Sequence, residues 1–404
     1  MKKERRRFSK EEYLARQLKV RQSMNASNVD ALIVYDPANM FWLTGYDGWS
    51  FYVHQCVVIS TDGDLFWYGR GIDAKGAELT TDLELKNILS YPDDYVMTPE
   101  KHPMEHLAGI LKEKGFSNKR IGLEKDNYYF SARAAESLYS SLPDATFSDH
   151  TGLVNWQRAV KSETEITYMK RAGKVIEGVY ERVMQVAEPG MRKNDLVAEI
   201  YHAGVKGHQG HYGDYASFVP LIGAGEEAAA CHMTWNDEPL KNNEGMFLEL
   251  GAAYARYHCP CSRTLFLGTP PQQYLDIEKV INECIENAIG MFKPGNTCAQ
   301  ISDNFTATLK KYGYEKNNRC GYPIGCSYPP DWGERTMSLR GNDQTVLEEN
   351  MTFHFMPAIW FDDWGFEMTE SIRVGSNGGE CLSAVPRKLL VNIFFQLILL
   401  DQIF

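Results

Sequence analysis

The sequence predicts two domains: an α/β layer up to residue 158, then a domain of long amphipathic helices interleaved with long strands. Three observations predict this. The 404 residues exceed the ~100–200 of a single domain. Apolar runs of strand length alternate with helical stretches through the first part. Near residue 162 a strong helix-start signal opens a segment of different character.

The first part is expected to run as follows. Arg16 to Met24 is helical and leads into Asp30–Tyr35, an apolar run bounded by Asp36-Pro37. Cys56–Ser60 and Leu65–Tyr68 flank Thr61-Asp62-Gly63-Asp64, a hairpin signal. A helix near 104–114, a strand over Arg120–Glu124 and a helix near 130–141 complete a mixed-sheet layer. In the second part Ser162 with Glu165 three residues on forms a capping box. Ile166, Met169, Ala172, Ile176, Val179, Val183 and Val186 then recur at helical spacing, and Pro189-Gly190 ends that helix. Further helices are expected near 195–206, 274–292 and 298–312. Strands are expected over Gly245–Leu250, Thr264–Leu267, Thr352–Ile359 and Phe366–Val374.

Composition narrows the function. A 44% hydrophobic fraction with 24% charged residues supports a large core and argues against disorder. A net charge of −11 argues against nucleic acid, whose phosphates demand clustered Lys and Arg. The basic opening Met1–Phe8 precedes no apolar run, so no secretory signal is expected. Nine scattered cysteines suit free thiols in a reducing compartment, and a cytoplasmic protein is expected. Residues 389–404 are strongly apolar, yet shorter than the ~20 a membrane helix needs. A terminal strand or an altered chain end is expected there, with a membrane or partner anchor as the alternative.

The helix opening Lys161-Ser162-Glu163, the helix end Glu188-Pro189-Gly190 and the strand pair Phe247–Gly251 and Ser262–Gly268 resemble the pita-bread superfamily of methionine aminopeptidase, prolidase and creatinase. The resemblance implies an α/β creatinase-like N-terminal domain (1–158), an α+β pita-bread catalytic domain (159–388) and an atypical tail (389–404). In the peptidases five side chains hold two metals. Those positions here are Glu249, Pro260, Tyr322, Met356 and Thr369, or Glu370 with a one-residue shift. One secure carboxylate in five cannot serve a hard cation or zinc, so no metal and no cofactor is expected. The histidine of Ala230-Cys231-His232 matches the acid/base of creatinase, the metal-free precedent.

Five further blocks are similar to the ectoine hydrolase family: Tyr46–Gln55, Tyr91–Tyr95, Arg256–Pro260, Tyr328–Glu334 and Trp360–Gly365. That family implies hydrolysis of a cyclic amidine, ectoine and also 5-hydroxyectoine, to N-acetyl-2,4-diaminobutyrate. Ectoine is a cation bearing a carboxylate, so carboxylates and aromatic faces are the expected replacements for metals. Glu249 and Glu367 are the expected inward carboxylates, the latter placed two residues before Thr369 and hence on the same strand face. His232 is expected to relay the proton, and a covalent Glu nucleophile or general-base water attack both remain open. Expected substrate contacts are Trp49, Tyr52, His258, Tyr322, Asp331, Trp332, Glu334, Arg340, His354, Trp360, Asp363 and Trp364, with structural packing as the bland reading of each. Arg340, Arg263 and Arg373 are the candidates for the substrate carboxylate. Trp49, Phe51 and Tyr52 are expected to reach a neighbouring subunit's site in a homodimer, by fold analogy alone. The deacetylase that follows in the pathway is a further expected partner; nucleic acid and membrane are not. The alternatives are another metal-free amidinohydrolase, a metal-dependent peptidase or a non-catalytic binding protein.

Overall fold

A computed structural model describes residues 6–392. The chain divides after Arg158 into two compact units.

The N-terminal unit is built on a six-stranded mixed sheet. Its strands lie in the order Ile88–Tyr91, Leu65–Arg70, Cys56–Ser60, Ala31–Val34, Arg120–Leu123, Thr146–Asp149. Ala31–Val34 is fully buried. It pairs antiparallel with Cys56–Ser60 and parallel with Arg120–Leu123, which explains its unbroken apolar run. The first helix runs over Lys10–Ala26, started by the Ser9 hydroxyl, which accepts from the Glu12 amide. The sequence reading missed the helix Pro37–Thr44. Asp36 caps it and Pro37 occupies its first turn, so the Asp-Pro pair starts a helix as well as ending a strand.

The second unit carries a nine-stranded sheet. Along its main path the order is Gly378–Cys381, Glu370–Gly375, Thr352–Phe355, Gly321–Tyr328, Tyr257–Leu267, Glu244–Tyr254, Leu221–Ala224. The capping box at Ser162 and Glu165 starts helix Glu163–Val186, a device worth about 1 kcal/mol. Glu165 also accepts from the Tyr257 hydroxyl at 2.6 Å, tying the helix start to a sheet strand. Further along, the buried Tyr180 hydroxyl contacts the carbonyls of Leu248 and Cys261. Helices Gln272–Ile289 and Cys298–Lys311 bury Ile277, Ile281, Ile285, Ile301 and Phe305 in a core shared with Phe353, Phe355 and Ile372.

The central hairpin is longer than expected. Glu244–Tyr254 and Tyr257–Leu267 pair residue for residue through a two-residue turn, Ala255-Arg256, with φ of 50° and 68°. Left-handed backbone at both turn positions matches the strand twist, and here it is adopted without glycine. Two expected strands are instead broken. Thr352–Phe355 and Ala358–Trp360 are separated by Met356-Pro357, and Gly365–Glu367 and Glu370–Gly375 by Met368-Thr369. At the first break the chain leaves the large sheet for a small ribbon in which Ala358–Trp360 pairs with Gly365–Glu367, and at the second it returns. Of the apolar tail, Leu390–Asn392 pairs parallel with Leu265–Leu267, and residues 393–404 lie outside the described residues. Among the described residues no disulfide joins any of the nine cysteines.

Candidate active site

The site begins with the hairpin register. Glu249 stands opposite Ser262, and Gly251 opposite Pro260. Alternation puts Glu249 and Gly251 on one face. A Cβ added at Gly251 would lie 2.5 Å from the Trp332 ring, so glycine there lets the indole lie against the strand next to Glu249.

Glu367 arrives from the small ribbon. Because the strand breaks after it, its shared face with Thr369 does not follow from alternation, and the turn of the ribbon places it instead. Its side chain is fully buried and neither carboxylate oxygen completes a well-aligned hydrogen bond, the Ser262 hydroxyl being the side-chain donor beside it. Burial raises its carboxyl to about 7, against the pull of the Lys316 ammonium. Burial also raises Glu249 well above the usual carboxylate range, reinforced by the charges of Glu367 and Asp331. These acids therefore form one electrostatic cluster, with the Lys316 ammonium as the cation that acts on both among the described residues. Pairs of acids pushed into the neutral range are characteristic of acid–base chemistry.

Lys316 is the site residue that the sequence reading missed. It sits half-buried in a loop, and its ammonium donates to the Ala358 carbonyl at 3.1 Å. Burial lowers its pKa, and Glu367 opposes that shift. Set among Glu315, Asn317, Asn318 and Arg319, it reads in sequence as part of a solvated loop. Cys231 is half-buried and its thiol is raised by burial and then by Glu367 and Glu249. The adjoining His232 is exposed. The loop that carries it is held by the bond from the Ile222 amide to the Met233 carbonyl.

Behind Glu249 lies a buried polar chain. Trp332 Nε1 donates to the Tyr322 hydroxyl at 2.8 Å, and that oxygen meets His354 Nδ1 at 3.2 Å. His354 Nε2 meets the Thr369 hydroxyl at 2.7 Å, and the Ser262 amide donates to the same hydroxyl at 2.8 Å. Burial lowers His354 to about 3, so it is neutral at pH 7.

Several expected contacts are engaged by other protein groups or lie exposed. Glu334 is consumed by Lys161 in an ion pair of 2.5 Å, both side chains almost fully buried. His258 is bound on both ring nitrogens, by Ser217 and by the Arg256 carbonyl, and burial lowers it to about 4. Trp364 stacks on Phe361 at 4.3 Å and packs on Tyr274 at 4.5 Å, half-buried against the helix core. Asp363 and Arg340 are exposed, and Arg340 reaches Ser338. Arg263 is buried and fully engaged with Glu370 and the carbonyls of Ser262, Thr369, Val385 and Pro386. This also removes Glu370 from the cluster. Arg373 is held by Asn350, Glu380 and Glu163. None of the three arginines joins the carboxylates. Trp360 packs edge-on to Phe247 at 5.2 Å, on the ribbon that carries Glu367. In the N-terminal unit Trp49 and Tyr52 are 63% and 58% exposed, surface unlike the rest of the unit's aromatic core. Tyr52 also lines a cavity of about 440 Å³ with Tyr91, His54, His102 and Arg133.

Residues 167–376 match metallopeptidase family M24, and residues 16–160 match the creatinase/prolidase N-terminal domain. This chain belongs to family M24. It is 50% identical to an ectoine hydrolase of Halomonas elongata, over 95% of this chain and 98% of that one. It is 42% identical to an uncharacterized hydrolase/peptidase of Sinorhizobium fredii, over 95% and 98%. A prolidase from Thermococcus sibiricus superposes with a TM-score of 0.80 at 17% identity, over 94% of this chain and 99% of that one, which establishes the shared fold.

The family's name implies metal, and this M24 unit does not fit one. Of the five positions, Pro260 has no donor, Met356 only a thioether, and Thr369 and Tyr322 are tied into the His354 chain. Among the described residues no group of three or more His, Cys, Asp and Glu could hold a metal ion. Nor is any described helix long and apolar enough to cross a membrane.

Proposed function

We propose that this protein hydrolyses ectoine, opening the cyclic amidine to N-acetyl-2,4-diaminobutyrate, and that it accepts 5-hydroxyectoine as well. The observation that carries this reading is the 50% identity, spanning both units, to a protein named ectoine hydrolase. The chemistry of the site supports it. Two buried acids without full partners suit a bound cation, since a carboxylate accepting from an amidinium N–H gains a charge-assisted bond. Glu249 and Glu367 hold the two ring N–H groups. A water oxygen bonds to the carbon between the nitrogens, and the C=N π pair moves onto nitrogen. The proton released by the water travels through His232 to one ring nitrogen; that C–N bond then breaks as an oxygen lone pair forms the carbonyl, and the remaining O–H proton passes to the departing amine, leaving an acetamide and an ammonium group. Lys316, a cation that acts on both acids, is the partner for the substrate carboxylate. The same reading makes the protein a cytoplasmic homodimer in which Trp49 and Tyr52 serve the neighbouring subunit. The deacetylase acting on its product is then its metabolic partner.

The test is incubation of the purified protein with ectoine in excess EDTA, followed by mass spectrometry. The acetylated diamino acid should appear at an undiminished rate. Turnover that disappears with EDTA and returns with manganese or zinc would overturn the metal-free reading, and no product under any condition would overturn the substrate.

A further inference from the structure

Hydrogen-bond accounting along the buried chain behind Glu249 fixes where its protons lie. Thr369 is fully buried, and its hydroxyl oxygen already accepts from the Ser262 amide. Among the described residues the one acceptor that meets its proton is His354 Nε2, at 2.7 Å. A buried hydroxyl left without an acceptor is costly, so Nε2 accepts and the neutral imidazole carries its proton on Nδ1. Nδ1–H then donates to the Tyr322 oxygen at 3.2 Å, and Trp332 Nε1–H donates to the same oxygen at 2.8 Å. With both lone pairs occupied, Tyr322 must point its own proton away from the chain. Among the described residues no acceptor meets it there; Thr369 is 0% exposed and Tyr322 9%, so of the two hydroxyls Tyr322 is the one whose proton solvent or a substrate can take. The charge that weighs most on it is Glu249, ahead of Asp331 and of Arg319, whose guanidinium lies over its ring at 4.4 Å.

Resting on the amidine-hydrolase reading, we infer that Tyr322 is a fixed hydrogen-bond donor to the oxygen that bonds to the amidine carbon, and that His354 and Thr369 are positioning residues that keep its proton facing the substrate. A hydroxyl that accepts two hydrogen bonds is a stronger donor, because those bonds favour charge building on its oxygen. The Thr369 hydroxyl selects the tautomer. Without it His354 can carry its proton on Nε2, Nδ1 becomes an acceptor, and the Tyr322 proton turns back into the protein.

The test combines kinetics with a direct view of the tautomer. Tyr322→Phe should lower kcat for ectoine by ~10²-fold, the size of losing one preorganised donor, with KM changed less than ~3-fold. Thr369→Val should lose a comparable factor, Thr369→Ser should recover most of that loss, and the Val/Phe double variant should be little worse than Tyr322→Phe. Thermal melts establish that each variant is folded. Nitrogen-15 NMR of histidine-labelled protein, with the His354 signals identified by their loss in His354→Gln, should show a protonated Nδ1 and a bare Nε2. A protonated Nε2 would overturn the donor assignment whatever the substrate proves to be. Near-wild-type turnover in Tyr322→Phe would overturn its catalytic role. Wild-type protein inert toward ectoine, with Nδ1 protonated, would overturn the substrate reading and leave the tautomer lock standing.

Discussion

Two buried glutamates three residues apart have opposite surroundings. Glu370 meets Arg263 at 2.7 Å, and that guanidinium is otherwise saturated by four backbone carbonyls. Glu367 is equally buried, and no cation pairs with it at contact distance among the described residues; the Ser262 hydroxyl beside it completes no well-aligned hydrogen bond. The first arrangement is closed: every donor has an acceptor, no ligand can enter, and its purpose is to fasten the strand to Val385 and Pro386. The second is open, and a fold that leaves an acid dry and unpaired gives up stability to do so. A strand break of two residues separates scaffold from site.

The largest effect should come from breaking the closed pair. Arg263→Ala strands Glu370 and several carbonyls, and should destabilise the protein by ~3–5 kcal/mol in chemical denaturation. If the loss is under ~1 kcal/mol, the closed pair is not the fastening it resembles. Next comes the open cluster. Glu249→Gln keeps shape and removes charge, so ectoine turnover should fall by at least ~10²-fold while the melting temperature holds. His232→Ala should cost a similar factor with less damage to KM, because the carboxylates still hold the cation. Near-wild-type turnover in either variant removes that residue from the mechanism. The smallest effect is on pH dependence. Glu367 titrates near 7, so below that it is protonated and cannot pair with a cation. kcat/KM should therefore rise about tenfold per unit as pH increases toward 7, then level. A flat profile between pH 5 and 8 would place the Glu367 charge outside the binding step.

Much of this was legible in the sequence where the signal is local. The capping box at Ser162 and Glu165 marks the helix start, alternation through Phe247–Gly251 orients Glu249, and the family positions expose Pro260 and Met356 as unable to bind metal. What was not legible depends on partners distant in sequence. Glu334 lies in an aromatic, acidic loop and looks like a ligand until Lys161, 173 residues away, is found against it. His258 is occupied by Ser217, and Arg263 by the Val385–Pro386 turn. The Met368-Thr369 break hides in a β-like run, so the face of Glu367 could not be derived by counting. Lys316 is misleading in the other direction, because a lysine in a polar loop gives no sign that folding will carry its ammonium to two buried acids.

The most direct test of the contrast is Glu367→Gln, followed by melting temperature and ectoine turnover on the same preparation. Removing an unpaired buried charge relieves a desolvation cost, so the melting temperature should hold or rise while turnover falls by at least ~10²-fold. A melting temperature that drops by several degrees with turnover preserved would make Glu367 part of the scaffold and contradict the account.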